Sequence, residues 1–359
     1  MRSQSFSKFL LTGIAASSLV LAGCATAPIA APPSAPTAAA DGGDSGLIQI
    51  VASTDVYGNI ASRVGGEFVE VTSIISGSTQ DPHSYEATAQ DLLTLSKADL
   101  VIENGGGYDP FIDSMLKASG DKNVVVVNAS EASGLIEEGE GGHDDHAGET
   151  KEEHDDHAGE TKEEHAEEEG DAHAGETAEE HAAHIEGFNE HVWYSFHGVE
   201  KIAAEIALRL GEIDEANAAA YEANYEAFAA EIAVLEERAE SMQSLVAGRG
   251  AAVTEPVPNY LLEALGFENK TPSDFSEAVE EGTDVSPAVL QATLSLFDDG
   301  SVILLAYNEQ TSGPITEQVR IAAENAGVAI VSLTETLPDG EDYISWMRGN
   351  LDAIEAALA

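Results

Sequence analysis

From residue 47 onward, short apolar runs alternate with stretches whose apolar positions recur every three or four residues. The runs at 47–52, 68–76, 99–103 and 123–128 read as strands, and 86–97 reads as a helix. Such alternation predicts βα units and a parallel sheet. Residues 198–210 follow as a helix. A long Ala- and Glu-rich run, 214–245, then puts Tyr221, Tyr225, Phe228, Ile232 and Leu235 on one helical face, with Asp214 as its N-cap. A second alternation begins at Gly250, with strands at 251–254, 302–307 and 328–333 and helices at 260–265, 316–326 and 343–358. The expected fold class is α/β, two α/β lobes with parallel sheets (47–212 and 248–359) bridged by a long helix over 213–247. One continuous doubly wound sheet is the alternative.

The N-terminus has a different character. Arg2 and Lys8 flank a polar start, and 9–21 is an apolar run of about a dozen residues, which suits the h-region of a signal peptide and is too short to span a bilayer. It ends in Leu21-Ala22-Gly23-Cys24, which resembles the lipobox of bacterial lipoproteins. That resemblance implies a signal peptide over 1–23, cleavage before Cys24 and lipidation of its thiol. Residues 24–46, rich in Ala and Pro, then read as an extended tether. The mature chain is expected to be lipid-anchored at the extracytoplasmic face of the cell membrane. Cys24 is the single cysteine, so no disulfide forms within the chain.

Charge narrows the choice of partner. With 66 acidic against 15 basic side chains the formal net charge is −51, which opposes any general affinity for nucleic acid. An apolar share of 43 % still provides for a sizeable core. The acid is concentrated: 137–190 holds 22 Asp and Glu against Lys151 and Lys162. Within it HDDHAGETKEE occurs at 143–153 and again at 154–164, with a degenerate third copy from His173 to His181. A duplication without an aliphatic face cannot bury a core, so the insert, 137–187, is expected to be disordered. Its histidines, His143, His146, His154, His157, His165, His173, His181 and His184, suit auxiliary capture of Zn²⁺, Cu²⁺ or Ni²⁺.

Three short segments carry candidate ligands near predicted strand ends or helix starts, where α/β sheets bind ligands. They are Asp81-Pro82-His83-Ser84-Tyr85-Glu86, Asn189-Glu190-His191-Val192-Trp193 and Thr254-Glu255-Pro256. Two imidazoles and a carboxylate, His83, His191 and Glu255, make a first shell for a divalent transition metal. His197 reads as a cap or surface residue.

With these motifs the chain resembles the ZnuA/TroA-like receptors, metal-binding lipoproteins of bacterial ABC importers. Asp-Pro-His83-x-Tyr-Glu matches the family's first ligand motif and Glu-His191-Val-Trp its second. Ala98-Asp99-Leu100-Val101-Ile102-Glu103-Asn104-Gly105 matches a characteristic strand. The resemblance implies two α/β lobes on a long helix, little lobe motion, a metal in the interlobe cleft and an ABC-type metal permease as partner. The protein is expected to act as a monomer. Glu255 stands where zinc-type members carry a third His and manganese-type members a Glu. The family's fourth ligand, an Asp, has no clear match: an ungapped comparison puts Ser312 there, leaving water, Glu309 or Asp284. Two His with carboxylates serve Zn²⁺ or Mn²⁺ alike, and the His tract favours zinc. Two other readings are a secreted metallohydrolase that uses His83, His191 and Glu255, and a surface adhesin or metal buffer in which the His tract does the main work. No H-E-x-x-H or nucleophile elbow supports an enzyme.

Overall fold

A computed structural model describes residues 46–77, 82–83, 85–120, 124–136, 187–246, 248–298 and 300–359. The signal peptide, Cys24, and the eight insert histidines lie outside these residues.

Strand β1 (Ile48–Thr54) is almost wholly buried, as a central strand covered on both faces must be. It pairs in parallel with β2 (Val69–Ile75) on one side and β3 (Leu100–Glu103) on the other, and β4 (Val125–Asn128) completes the order β2-β1-β3-β4. Helices α1 (Asp55–Gly65), α2 (Ala89–Leu95), α3 (Pro110–Ser119), α4 (Ala129–Ser133) and α5 (Phe196–Ile213) complete this lobe. Helix α1 is additional to the expected elements. Its Val56, Tyr57, Ile60, Ala61 and Val64 are buried at helical spacing directly after the β1 run, which obscures its start in the sequence.

Helix α6 (Ala218–Val246) leads to the second lobe, in which β5 (Gly250–Val253), α7 (Asn259–Ala264), β6 (Glu268–Asn269), α8 (Ser273–Glu280), α9 (Pro287–Asp298), β7 (Val302–Tyr307), α10 (Pro314–Ala326), β8 (Ala329–Ser332) and α11 (Tyr343–Leu358) follow. The second sheet is also parallel, in the order β6-β5-β7-β8. Two separate sheets exclude the single doubly wound alternative. Both share one topology, and in each the chain changes direction beside the first strand. Such switch points open a crevice at the carboxyl ends of the strands.

Residues 214–245 do not form one helix from Asp214. Asp214 is the C-cap of α5, and its carboxylate accepts from Asn217 Nδ2 at 2.7 Å and from the Tyr221 hydroxyl at 3.0 Å. The carboxylate fixes the turn between two helices, so α6 starts at Ala218. From there Tyr221, Phe228, Ile232, Leu235, Ala239, Met242 and Val246 are buried. This stripe packs on α1 and α5 of the first lobe and on α7 and α11 of the second.

The main core is therefore continuous from lobe to lobe, running through Ile50, Trp193, Phe228, Val253 and Trp346. Burial of each such side chain is worth about 1.5–3 kcal/mol, so large lobe separation is disfavoured. Polar ties add to this. Asp55 accepts from the Gly77 amide at 2.7 Å and, across the cleft, from the Leu337 amide at 3.2 Å. The Tyr343 amide donates to Asn59 Oδ1 at 3.0 Å. Among the described residues no helix is long and apolar enough to cross a membrane.

Candidate metal centre

The chain rises to the cleft at the carboxyl ends of both sheets. His83 lies beyond β2, partly buried after Pro82. His191 is fully buried and opens the short helical turn Val192–Tyr194. Its Nδ1 lies 2.7 Å from Asn189 Oδ1, which also accepts the His191 amide at 3.2 Å. An acceptor at Nδ1 holds the proton there and turns the Nε2 lone pair toward the cleft, as ligating histidines require. Asn189 in turn donates to the Pro256 carbonyl across the cleft at 3.1 Å, so one side chain orients His191 and ties it to the segment carrying Glu255.

Two carboxylates face the imidazoles. Glu335 Oε1 is 3.8 Å from His83 Nε2 and 3.9 Å from His191 Nε2. Glu280 Oε1 is 3.7 Å and 3.1 Å from the same two nitrogens. Donor atoms of His83, His191 and Glu335 all lie within 4.8 Å of one another, as do those of His83, Glu190 and Glu280. The cleft thus holds two overlapping triads with the donor types and spacing of a divalent metal site.

Glu255 is buried just beyond β5. Asn308, just beyond β7, donates to its Oε2 at 2.6 Å. Glu255 belongs to neither triad but lies near enough for its charge to act on Glu280. Burial, then the charges of Glu190, Glu255 and Glu335, push the Glu280 carboxyl up to about 10. That crowding of acid in a buried cleft is the electrostatic signature of a cation site.

The sequence-based candidates for the fourth position lie elsewhere. Glu309, Asp284 and Ser312 are exposed, and neither carboxylate of this set belongs to a triad. The carboxylate that joins His83 and His191 is Glu335, three residues past β8. A signal for it exists: like Glu255, it is preceded by threonine and lies within two residues of the end of a predicted strand. His197 is exposed on α5, 4.0 Å from Glu200, and takes no part.

The wall behind the histidines is aromatic. The Tyr108 ring meets His83 edge-on at 4.9 Å and His191 at 5.8 Å, and Trp193 packs on both Tyr108 and His191. Burial first and then neighbouring Glu335 hold the Tyr108 phenol well above its usual range. Tyr108 follows the left-handed residues Gly105 and Gly106. A Cβ on Gly105 would stand 2.2 Å from Asn128 Nδ2, so only glycine fits this turn. Below it, Asn104 donates to the Glu190 carbonyl at 3.1 Å and its amide donates to Asp109 at 2.7 Å. Burial pushes Asp109 up to about 6, and burial with the charges of Asp109 and Asp113 pushes Glu103 up to about 8.

Two parallel-sheet lobes held on one long helix, with imidazoles and carboxylates converging in the cleft between them, define a metal-binding solute receptor. The chain belongs to the ZnuA family, whose model, described as zinc-uptake complex component A, periplasmic, matches residues 50–357. It is 27 % identical over 334 residues to the manganese ABC transporter substrate-binding lipoprotein scaA of Streptococcus gordonii, covering 88 % of this chain and 90 % of that protein. Against the manganese-binding lipoprotein MntA of Halalkalibacterium halodurans it is 23 % identical, covering 87 % and 89 %. Among solved structures, FpvC of Pseudomonas aeruginosa in complex with Mn²⁺ superposes with a TM-score of 0.64 at 22 % identity, covering 87 % of this chain and 98 % of that one. The periplasmic zinc-binding protein TroA of Treponema pallidum does so at 0.62 and 18 %, covering 88 % and 100 %. At these identities the structural likeness concerns the fold.

Proposed function

We propose that this protein captures a divalent metal ion, Zn²⁺ or Mn²⁺, outside the cytoplasm and delivers it to an ABC permease for uptake. The observation that carries the reading is the convergence of one donor atom each from His83, His191 and Glu335 within 4.8 Å of one another in the interlobe cleft. Glu255, whose charge acts on Glu280, adds a further carboxylate to the acidic surroundings of the ion from the second lobe. In their neutral form two imidazoles add no charge, so the carboxylates balance the cation. The rigid frame gives the ion a preorganised cradle.

The anchor in this reading is a lipid on Cys24, with 1–23 removed and 24–46 as tether. Residues 47–212 and 248–359 act as the two lobes about 213–247, and the protein works as a monomer. The His-rich insert concentrates cations near the cleft, an effect that weakens as salt rises. The family consists of binding components of importers, and it lends no support to the metallohydrolase or adhesin readings.

The test is calorimetry with Zn²⁺ and Mn²⁺ on the full chain, on a chain lacking 139–184, and on each with His83→Ala and His191→Ala combined. One tight site should survive the deletion and vanish with the double substitution. A tight site that survives the double substitution would refute the assignment.

A further inference from the structure

His83 belongs to both donor triads of the cleft, one with His191 and Glu335 and one with Glu190 and Glu280. A neutral imidazole has a single lone pair to give, so one His83 cannot complete both triads at the same moment. The two are therefore alternative positions for one ion. Their depths differ. The side chains of His83 and Glu280 keep 21 % and 10 % exposure, whereas those of His191 and Glu335 keep 0 % and 4 %. Glu280 ends α8, and Glu281, Gly282 and Thr283 after it are exposed. An ion arriving from solvent meets His83 and Glu280 first, with His191 behind them against Tyr108 and Trp193.

Glu190 completes the outer triad from a fixed backbone. Its carbonyl accepts from Asn104 Nδ2 at 3.1 Å and from the Val192 amide at 2.7 Å. The Tyr260 hydroxyl, from the second lobe, donates to the Asn189 carbonyl just before it at 2.8 Å. The Glu190 side chain is buried, and its charge acts on Glu280. Two buried carboxylates this close repel each other, and a divalent cation between them removes that repulsion. The onward step is short. Donors about 2.1 Å from one metal stand roughly 3.0–3.4 Å apart, and Glu280 Oε1 is 3.1 Å from His191 Nε2. An ion held by Glu280 is thus within reach of His191 without any movement of the lobes.

We propose that His83, Glu190 and Glu280 form an entry station, at which a divalent cation stops before it passes, with His83 still attached, to His191 and Glu335. This rests on the receptor reading given above and adds the route by which that site fills. The donor types suit the order. Two carboxylates draw a cation in by charge, and the second imidazole then supplies the nitrogen that suits a transition metal such as Zn²⁺. His83 is the pivot because it alone serves both triads.

The test is stopped flow on the full chain with Zn²⁺. Association is read from the emission of Trp193, whose ring packs on His191 at 5.1 Å, and release from a chelator chase. The insert contains no tryptophan and stays silent. Glu190→Gln keeps the shape and removes the charge. A station lies between solvent and the final site, so weakening it raises the barrier in both directions. Association and release should both slow, by about 10-fold, the lower end of what loss of a group at a metal site costs. Release that quickens or holds its rate overturns the proposal, since a ligand of the final site would quicken it and a merely attracting charge would slow association alone. Glu280→Gln should also slow both rates, and it carries the test if thermal melts show that Glu190→Gln fails to fold. On the unsubstituted chain the association rate should level off as Zn²⁺ rises, because transfer out of a filled station becomes limiting. A rate that stays proportional to Zn²⁺ overturns the proposal without any variant. His191→Ala is measured alongside: if it leaves equilibrium affinity intact, the receptor site itself is wrong, a different failure.

Discussion

Glu335 Oε1 stands 3.9 Å from His191 Nε2, an oxygen from the loop after β8 facing a nitrogen of the first lobe across the cleft. Replacing Glu335 with Ala should lower affinity for the transported ion by more than the ~10–100-fold typical of an orienting neighbour. The metal-free protein should melt at an equal or higher temperature, because one member of a crowded acidic cluster is gone. Calorimetry and a metal-free thermal melt read the two effects separately.

Asn189 orients His191 without facing the ion. Asn189→Ala removes both the Nδ1 acceptor at 2.7 Å and the tie to Pro256. Metal affinity should drop by about 10–100-fold, while metal stoichiometry stays that of the unsubstituted protein. An unchanged affinity would mean that packing by Tyr108 and Trp193 suffices to aim the imidazole.

Asp55 joins the exit of β2, which leads to His83, to the loop two residues past Glu335. Each oxygen accepts one of these amides, Gly77 and Leu337. Asp55→Ala should destabilise the fold by about 1–3 kcal/mol, the penalty for orphaning buried donors. It should also speed metal release, because two ligand-bearing loops lose their common tether. Denaturant midpoints and chelator-chase stopped flow measure the two consequences, and wild-type release kinetics would refute the second.

Glu103 gives a pH dependence of definite sign. Its pKa is raised from 4.5 to about 8 in the folded protein, so between those values the native state holds more protons than the unfolded chain. Its contribution is fully present below about pH 4.5 and is lost as pH rises through about 8. Asp109, raised to about 6, acts in the same direction over a lower window. The urea midpoint of the metal-free protein should therefore decline between pH 5 and 8, and Glu103→Gln should flatten that slope. A slope that persists in Glu103→Gln would show that another group dominates.

Much of the architecture was legible along the chain because strands and helices are set by local periodicity. The run 302–307 and the closing helix 343–358 coincide with β7 and α11. The face Tyr221, Phe228, Ile232, Leu235 is the buried stripe of α6. His83, His191 and Glu255 stand out because each sits in a short segment with proline or tryptophan as punctuation; the fold brings the two histidines together with Glu335, and Glu255 belongs to neither triad. Asp214 misled because its oxygen caps in either direction. Its bonds to Asn217 and Tyr221, which end α5, depend on how the next helix folds back.

Glu335 and Glu280 belong to another level of organisation. No local period links Glu335 to His191, or Glu280 to His83. They meet because two parallel sheets of the same strand order direct the carboxyl ends of their strands into one cleft, and because α6 holds the lobes at a single spacing. Residue type and local pattern suffice to name elements and candidate ligands. Which carboxylates close on the imidazoles depends on distances across the cleft, a property of packing that no sequence interval encodes.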